Sequence, residues 1–167
     1  MGRLAASFST PEIHPLDPVE QALTSQGWQF QRGCDDDLSA QFRGQWCDYS
    51  LHFTWAGDFN AVHFTCAFDA RVPDKKRHEA RDLLALANDR VWLGHFGIWE
   101  PEGLPMFRHA VLMRGAPPLT ETQVRDLLDI AIAECERFYP AFQYVLWAGK
   151  SAEEALDAAM IEPVGEA

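Results

Sequence analysis

Polar and apolar positions alternate along two stretches of this chain with the period of two that marks a half-buried strand. Tyr49, Leu51, Phe53 and Trp55 are separated by Ser50, His52 and Thr54, and Val62, Phe64, Cys66 and Phe68 by His63, Thr65 and Ala67. Between them lies Ala56-Gly57-Asp58, which holds residue types that reverse a chain between strands. Upstream, Trp28 to Arg32 and Leu38 to Phe42 read as two shorter strands around Gly33-Cys34-Asp35-Asp36-Asp37. The pattern predicts one four-stranded antiparallel meander. Two further strands, over about 95 to 100 and 106 to 114, flank the turn Pro101-Glu102-Gly103-Leu104-Pro105.

Helical spacing fills the intervals. Asp17-Pro18 has the form of an N-cap followed by proline at the first helical position, and the short helix it opens runs to about Gln26, with Gly27 as its stop. Pro73-Asp74 opens a second helix. Its apolar stripe is Ala80, Leu83, Leu84, Ala87 and Val91, with Lys75, Lys76, Arg77, Glu79 and Asp82 toward water, and Gly94 ends it near Leu93. Thr120 and Gln123 stand in capping-box spacing and start the longest helix, with Val124, Leu127, Leu128, Ala131, Cys135 and Phe138 on one face. Pro140 is expected to kink it. Its second half, with Phe142, Tyr144, Val145, Leu146 and Trp147, is apolar nearly all round and needs cover on more than one side. Ser151 and Glu154 repeat the capping-box spacing ahead of a last helix ending at Ile161.

The resulting order, α-β-β-β-β-α-β-β-α-α, implies an α+β fold in which helices cover an antiparallel sheet. Residues 1–16, with Pro11 and Pro15, read as a flexible N-terminal arm, 17–162 as a single domain and 163–167 as a short tail. A length of 167 residues, an apolar share of 47% and eleven Phe with six Trp suit one well-filled core.

Charge narrows the partners. The formal charge of −11 sets up a field that repels phosphate backbones and anionic lipid surfaces, so neither nucleic acid nor membrane is an expected partner. It serves solubility and would favour basic clients. Four Cys, at 34, 47, 66 and 135, include no Cys-x-x-Cys pair, and no apolar run nears the roughly 20 residues of a membrane span. A soluble cytoplasmic protein with reduced thiols is the expectation.

Motifs that imitate chemistry have simpler readings. Gly149-Lys150-Ser151 resembles the end of a phosphate-binding loop, but Tyr144 stands where that loop needs its first glycine. A helix stop at Gly149 and an N-cap at Ser151 account for it. Adjacent carboxylates in Asp35-Asp36-Asp37 lack the alternating ligands of a calcium loop and weaken Cys34 as a nucleophile. Cys66, between Phe64 and Phe68, reads as a packed thiol. The run Lys75-Lys76-Arg77-His78 is short and lies at a helix start, where it serves as a solvated face. His63, His95 and His109 lie on strands. If they met near Glu100 they would offer a small metal-dependent or thiol hydrolase, the alternative to a binding module.

Aromatic residues dominate the second half: Trp92-Leu93-Gly94-His95-Phe96-Gly97-Ile98-Trp99-Glu100, then Pro105-Met106-Phe107-Arg108-His109-Ala110, then Glu134-Cys135-Glu136-Arg137-Phe138-Tyr139-Pro140-Ala141-Phe142. This wording resembles the YbjN-like family of small bacterial proteins over about Trp28 to Ala155. The resemblance implies a fold like that of type III secretion chaperones, usually homodimeric, whose relatives hold partly unfolded polypeptide. It also implies a sensory or regulatory role without an assigned reaction, no catalytic residues and no cofactor. Partner contacts are accordingly expected among Trp92, Phe96, Trp99, Phe107, Phe138, Phe142 and Trp147. The leading expectation is a non-enzymatic, chaperone-like or regulatory module that binds itself and an unknown protein or peptide through aromatic surface.

Overall fold

Strict alternation along a strand sends every second side chain to one face, so the central strands dictate a sheet with one oily side. In the computed structural model, which describes residues 13–161, ten helices and strands follow the expected order. They are α1 (Asp17–Ser25), β1 (Phe30–Cys34), β2 (Asp37–Arg43), β3 (Asp48–Ala56), β4 (Ala61–Phe68), α2 (Arg77–Asn88), β5 (His95–Trp99), β6 (Leu104–Leu112), α3 (Glu121–Leu146) and α4 (Ala152–Ile161). The fold is α+β. Its six strands form one antiparallel sheet in the order β1-β2-β3-β4-β6-β5, so the meander continues into β6 and leaves β5 at the edge.

Tyr49, Leu51 and Phe53 of β3, Phe64, Cys66 and Phe68 of β4, Phe96 of β5 and Phe107 of β6 all bury on one face. Helix α3 lies over it. Phe68 meets Tyr139 and Phe142 edge-on with ring centroids 5.6 and 5.1 Å apart, and Phe96 meets Phe107 and Phe138 at 5.7 and 5.2 Å. Such pairs add about 0.5–1.5 kcal/mol each to the area they bury.

That packing explains how α3 tolerates Pro140. A proline inside a helix costs about 3 kcal/mol, yet the helix runs on through it to Leu146. Phe138, Tyr139, Ala141 and Phe142 beside it are all buried, and each large side chain contributes roughly 1.5–3 kcal/mol. Both expected capping boxes are made. The Thr120 hydroxyl accepts from the Gln123 N–H at 3.1 Å while the Gln123 side chain accepts from the Thr120 N–H at 2.9 Å. Ser151 and Glu154 exchange the equivalent bonds at 3.2 and 3.1 Å.

Several boundaries differ from the sequence reading: α2 begins at Arg77, after a single 3-10 turn over Asp74–Lys76, β6 ends at Leu112 rather than 114, and four others have a visible cause. Helix α1 is capped by Leu16, not Asp17, because the Asp17 carboxylate reaches back to the His14 N–H at 2.9 Å. Strand β1 begins at Phe30 rather than Trp28, since the Trp28 N–H is spent on the Leu23 carbonyl at 3.0 Å to close α1. Helix α2 ends at Asn88, short of Val91 and Leu93. There the Asn88 side chain takes both backbone groups of Phe96, accepting from its N–H at 2.6 Å and donating to its carbonyl at 3.0 Å, which anchors the following loop to β5. Strand β6 starts at Leu104 and so contains Pro105. Pairing with β4 begins only at Met106, so the missing N–H of Pro105 faces an unpaired side. Gly103 makes the preceding turn with φ +68°, where a Cβ would lie 2.7 Å from the Val72 carbonyl.

The expected arm falls outside the described residues up to 12, and the tail 163–167 lies wholly outside them. Leu16, assigned to the arm, is fully buried in the core. Phe142→Ala is expected to lower stability by about 3–5 kcal/mol in urea denaturation, and Trp147→Ala by less than about 1 kcal/mol.

Candidate functional site

Helices bury one face of the sheet; the other face carries the polar half of each alternation. Strand registry sets the polar side chains in rows across it. His52 of β3 lies opposite Thr65 of β4, Thr65 opposite Arg108 of β6, and Arg108 opposite His95 of β5. His63, two residues along β4 from Thr65, is the diagonal neighbour of Arg108, a placement within reach of long side chains. Gln41, Ser50, Thr54, Trp99 and Leu104 complete the walls of a trough of about 980 Å³. Its floor is recessed. Met106 and Ala67 point to this open side and yet are only 5% and 7% exposed.

The middle of the trough and its end toward Leu104 differ in charge. Around the middle row sit Arg108, His52 and His63; Asp48, Asp69 and Glu102 line the end toward Leu104. Glu100, at the same end, is held by Arg77 and Arg81 of α2. Hydrogen bonding from Arg81 first, and the charges of both arginines, keep its carboxyl below the usual range. Burial first, then the neighbouring Arg108 and His95, hold the His63 imidazole below its usual 6.5. His109 is lowered too, by burial and then His95.

The three strand histidines do not converge. His63 and His95 share the open face, whereas His109 pairs with the inward-pointing Phe64 and so lies on the helix side. Among the described residues no group of three His, Cys, Asp or Glu side chains could hold a metal ion, and no thiol is hydrogen-bonded to an imidazole. The cysteines are all free thiols. Cys34 is exposed and donates to Asp37 at 3.1 Å, a bond that, before that from Thr54, pulls the Asp37 carboxyl below its usual value. Cys66 and Cys135 face each other in the core with sulfurs 3.6 Å apart. Burial, then Cys66, pushes the Cys135 thiol well up, which suits packing and not nucleophilic attack.

The aspartate run diverges: Asp36 meets His14 at 3.2 Å, while Asp37 accepts from Thr54 at 2.8 Å. Gly149, with φ +67°, stops α3, and Ser151 caps α4.

The aromatic surface assigned from the sequence needs correction. Phe96, Phe107, Phe138 and Phe142 are at most 2% exposed, because they form the contact between α3 and the inner face of the sheet and are not presented by a single protomer. Trp92, Trp99 and Trp147 do stand out, at 102%, 53% and 62% exposed. His52, Thr65, Met106 and Arg108 were not singled out as a site; the signal available was their place at the polar positions of strands that pair in the middle of the sheet.

A family model described as putative bacterial sensory transduction regulator, YbjN, matches residues 15–144. The chain belongs to the YbjN family. That match spans α1 through most of α3, and so takes in the YbjN sheet, the trough and the helix that seals the inner face. Among curated proteins none matches the chain significantly. No helix of the described residues in this YbjN chain is long and apolar enough to cross a membrane.

Two measurements check this geometry. In the unfolded chain His63 and His109 titrate near 6.5 and in the folded protein below it, so the unfolded state binds more protons in that window. Their contribution to stability is whole above about pH 6.5 and lost as pH falls through the folded values. Denaturation midpoints should therefore drop as pH falls below about 6.5, and His63→Gln should flatten the slope. Thiol labelling of the folded protein should modify Cys34 quickly, while Cys66 and Cys135 react only on unfolding.

Proposed function

We propose that this protein is a non-enzymatic regulatory module of chaperone-like character that pairs with itself and binds another polypeptide through exposed aromatic side chains. The observation that carries the reading is the exposure of Trp92, Trp99 and Trp147 on a protein that buries most of its large aromatic rings. Tryptophan is enriched at the centres of protein interfaces. Covering each ring is worth on the order of 2–3 kcal/mol, and three of them together about match the lower range of what association costs. Binding on these rings is accordingly reversible, as a regulator requires.

A net charge of −11 favours basic clients and makes encounter salt-dependent. The family description is itself regulatory. Four free thiols suit a reducing cytoplasm, which is the proposed location.

Light scattering on the purified chain should give twice the chain mass, and Trp92→Asp with Trp147→Asp should shift it to the monomer. Wild-type protein should slow the aggregation of reduced lysozyme, a basic unfolded client, and lose this effect in the double variant and at high salt. A wild type that is monomeric at every concentration and leaves lysozyme aggregation unchanged would sink the reading.

A further inference from the structure

We infer that the trough on the open face of the sheet binds a small organic anion, its carboxylate held by Arg108 with His63 and His52 and its apolar body laid over Met106, Ala67 and Trp99. Three observations meet there. The guanidinium of Arg108 has neither an ion-pair nor a hydrogen-bond partner among the described residues, a state it shares with Arg43, Arg71, Arg90 and Arg114, but of these five only Arg108 lines the trough. It stands mid-strand, opposite Thr65 and His95 and diagonal to His63. Its aliphatic stem passes beside Gly97, with the Arg108 Cδ 3.6 Å from where a Cβ would be, an ordinary packing distance. A planar guanidinium flanked by hydroxyl and imidazole donors matches a carboxylate, which accepts two parallel bonds.

The recess gives the rest of the ligand a place. Met106 and Ala67 are sunk below the rim although they face the open side, and the trough, at about 980 Å³, lies at the upper end of small-molecule sites, which run to roughly 1,000 Å³. Asp48 and Asp69 stand about four residues along the strands from the row of Arg108, or roughly 13 Å. Those carboxylates repel an anionic head and Asp37, bonded to Thr54 on the other side, does the same, which leaves the row of Arg108 as its place. The trough shares Trp99 with the protein-binding reading, but Trp92 and Trp147 do not line it, so Arg108→Ala and the Trp92→Asp, Trp147→Asp pair tell the failure of one from the failure of the other.

A matched pair of probes tests it. 4-Phenylbutyrate and 4-phenylbutylamine carry the same body and opposite heads, and each is titrated by calorimetry and by amide chemical shifts. The butyrate should bind at least roughly tenfold more tightly than the amine, as a charge-assisted hydrogen bond warrants, with shifts centred on β3, β4 and β6. Arg108→Ala should weaken it by at least roughly tenfold and Arg108→Lys by less, with circular dichroism unchanged. Equal binding of both heads, unaltered binding to Arg108→Ala, or shifts confined to the helix side would each overturn the proposal. So would binding of a glutamate-rich peptide at this face with none of 4-phenylbutyrate.

Discussion

Contact between α3 and the inner face of the sheet is the constraint on which everything else in this molecule rests. Phe68 and Phe96 project from the sheet, Phe138, Tyr139 and Phe142 from the helix, and their rings meet mostly edge-on at 5 to 6 Å. Because this seam lies in the second half of α3, its burial outweighs the cost of Pro140 there. The buried sulfurs of Cys66 and Cys135, touching across the same interface, extend the seam toward the start of the helix. With all of the long helix committed to one side, the sheet's other side is left to solvent.

One-sided cover has a chemical consequence. The polar half of each strand's alternation could have remained a plain solvated surface. Instead the placement of β6 between β4 and β5 brings Arg108 and His95 alongside Thr65 and His52, and sinks Met106 beneath the rim. A cationic Arg108 with imidazoles beside it therefore sits in the middle of a recess on a protein that is acidic as a whole. Carboxylates at the rim are partly neutralised by α2, whose Arg77 and Arg81 grip Glu100. The same helix is stopped by Asn88, which binds the backbone of Phe96 and so pins the edge strand in position.

Much of this was legible residue by residue. Strand periodicity around Phe53 and Phe64 placed the central strands within one residue of their ends, and both capping boxes were visible as Thr120 with Gln123 and Ser151 with Glu154. Boundaries went astray where a single hydrogen bond decided them, as with the Trp28 N–H and the Asn88 side chain, because propensity does not say which donor a backbone group will find. The candidate site was less legible. Its residues come from β3, β4 and β6, separated by more than fifty positions along the chain, and His63 and His109, alike on paper, point to opposite faces.

The amino-acid sequence by itself determined the kinds of element, their order, the amphipathic face of each and the family, since these follow from local spacing and from a long run of matching residues. Only the tertiary structure decided which rings are covered, that β6 rather than β5 joins the meander, and which polar side chains share a surface. Those are outcomes of long-range pairing: a ring is buried by whatever packs against it, and a row forms across strands that chain order alone does not make neighbours.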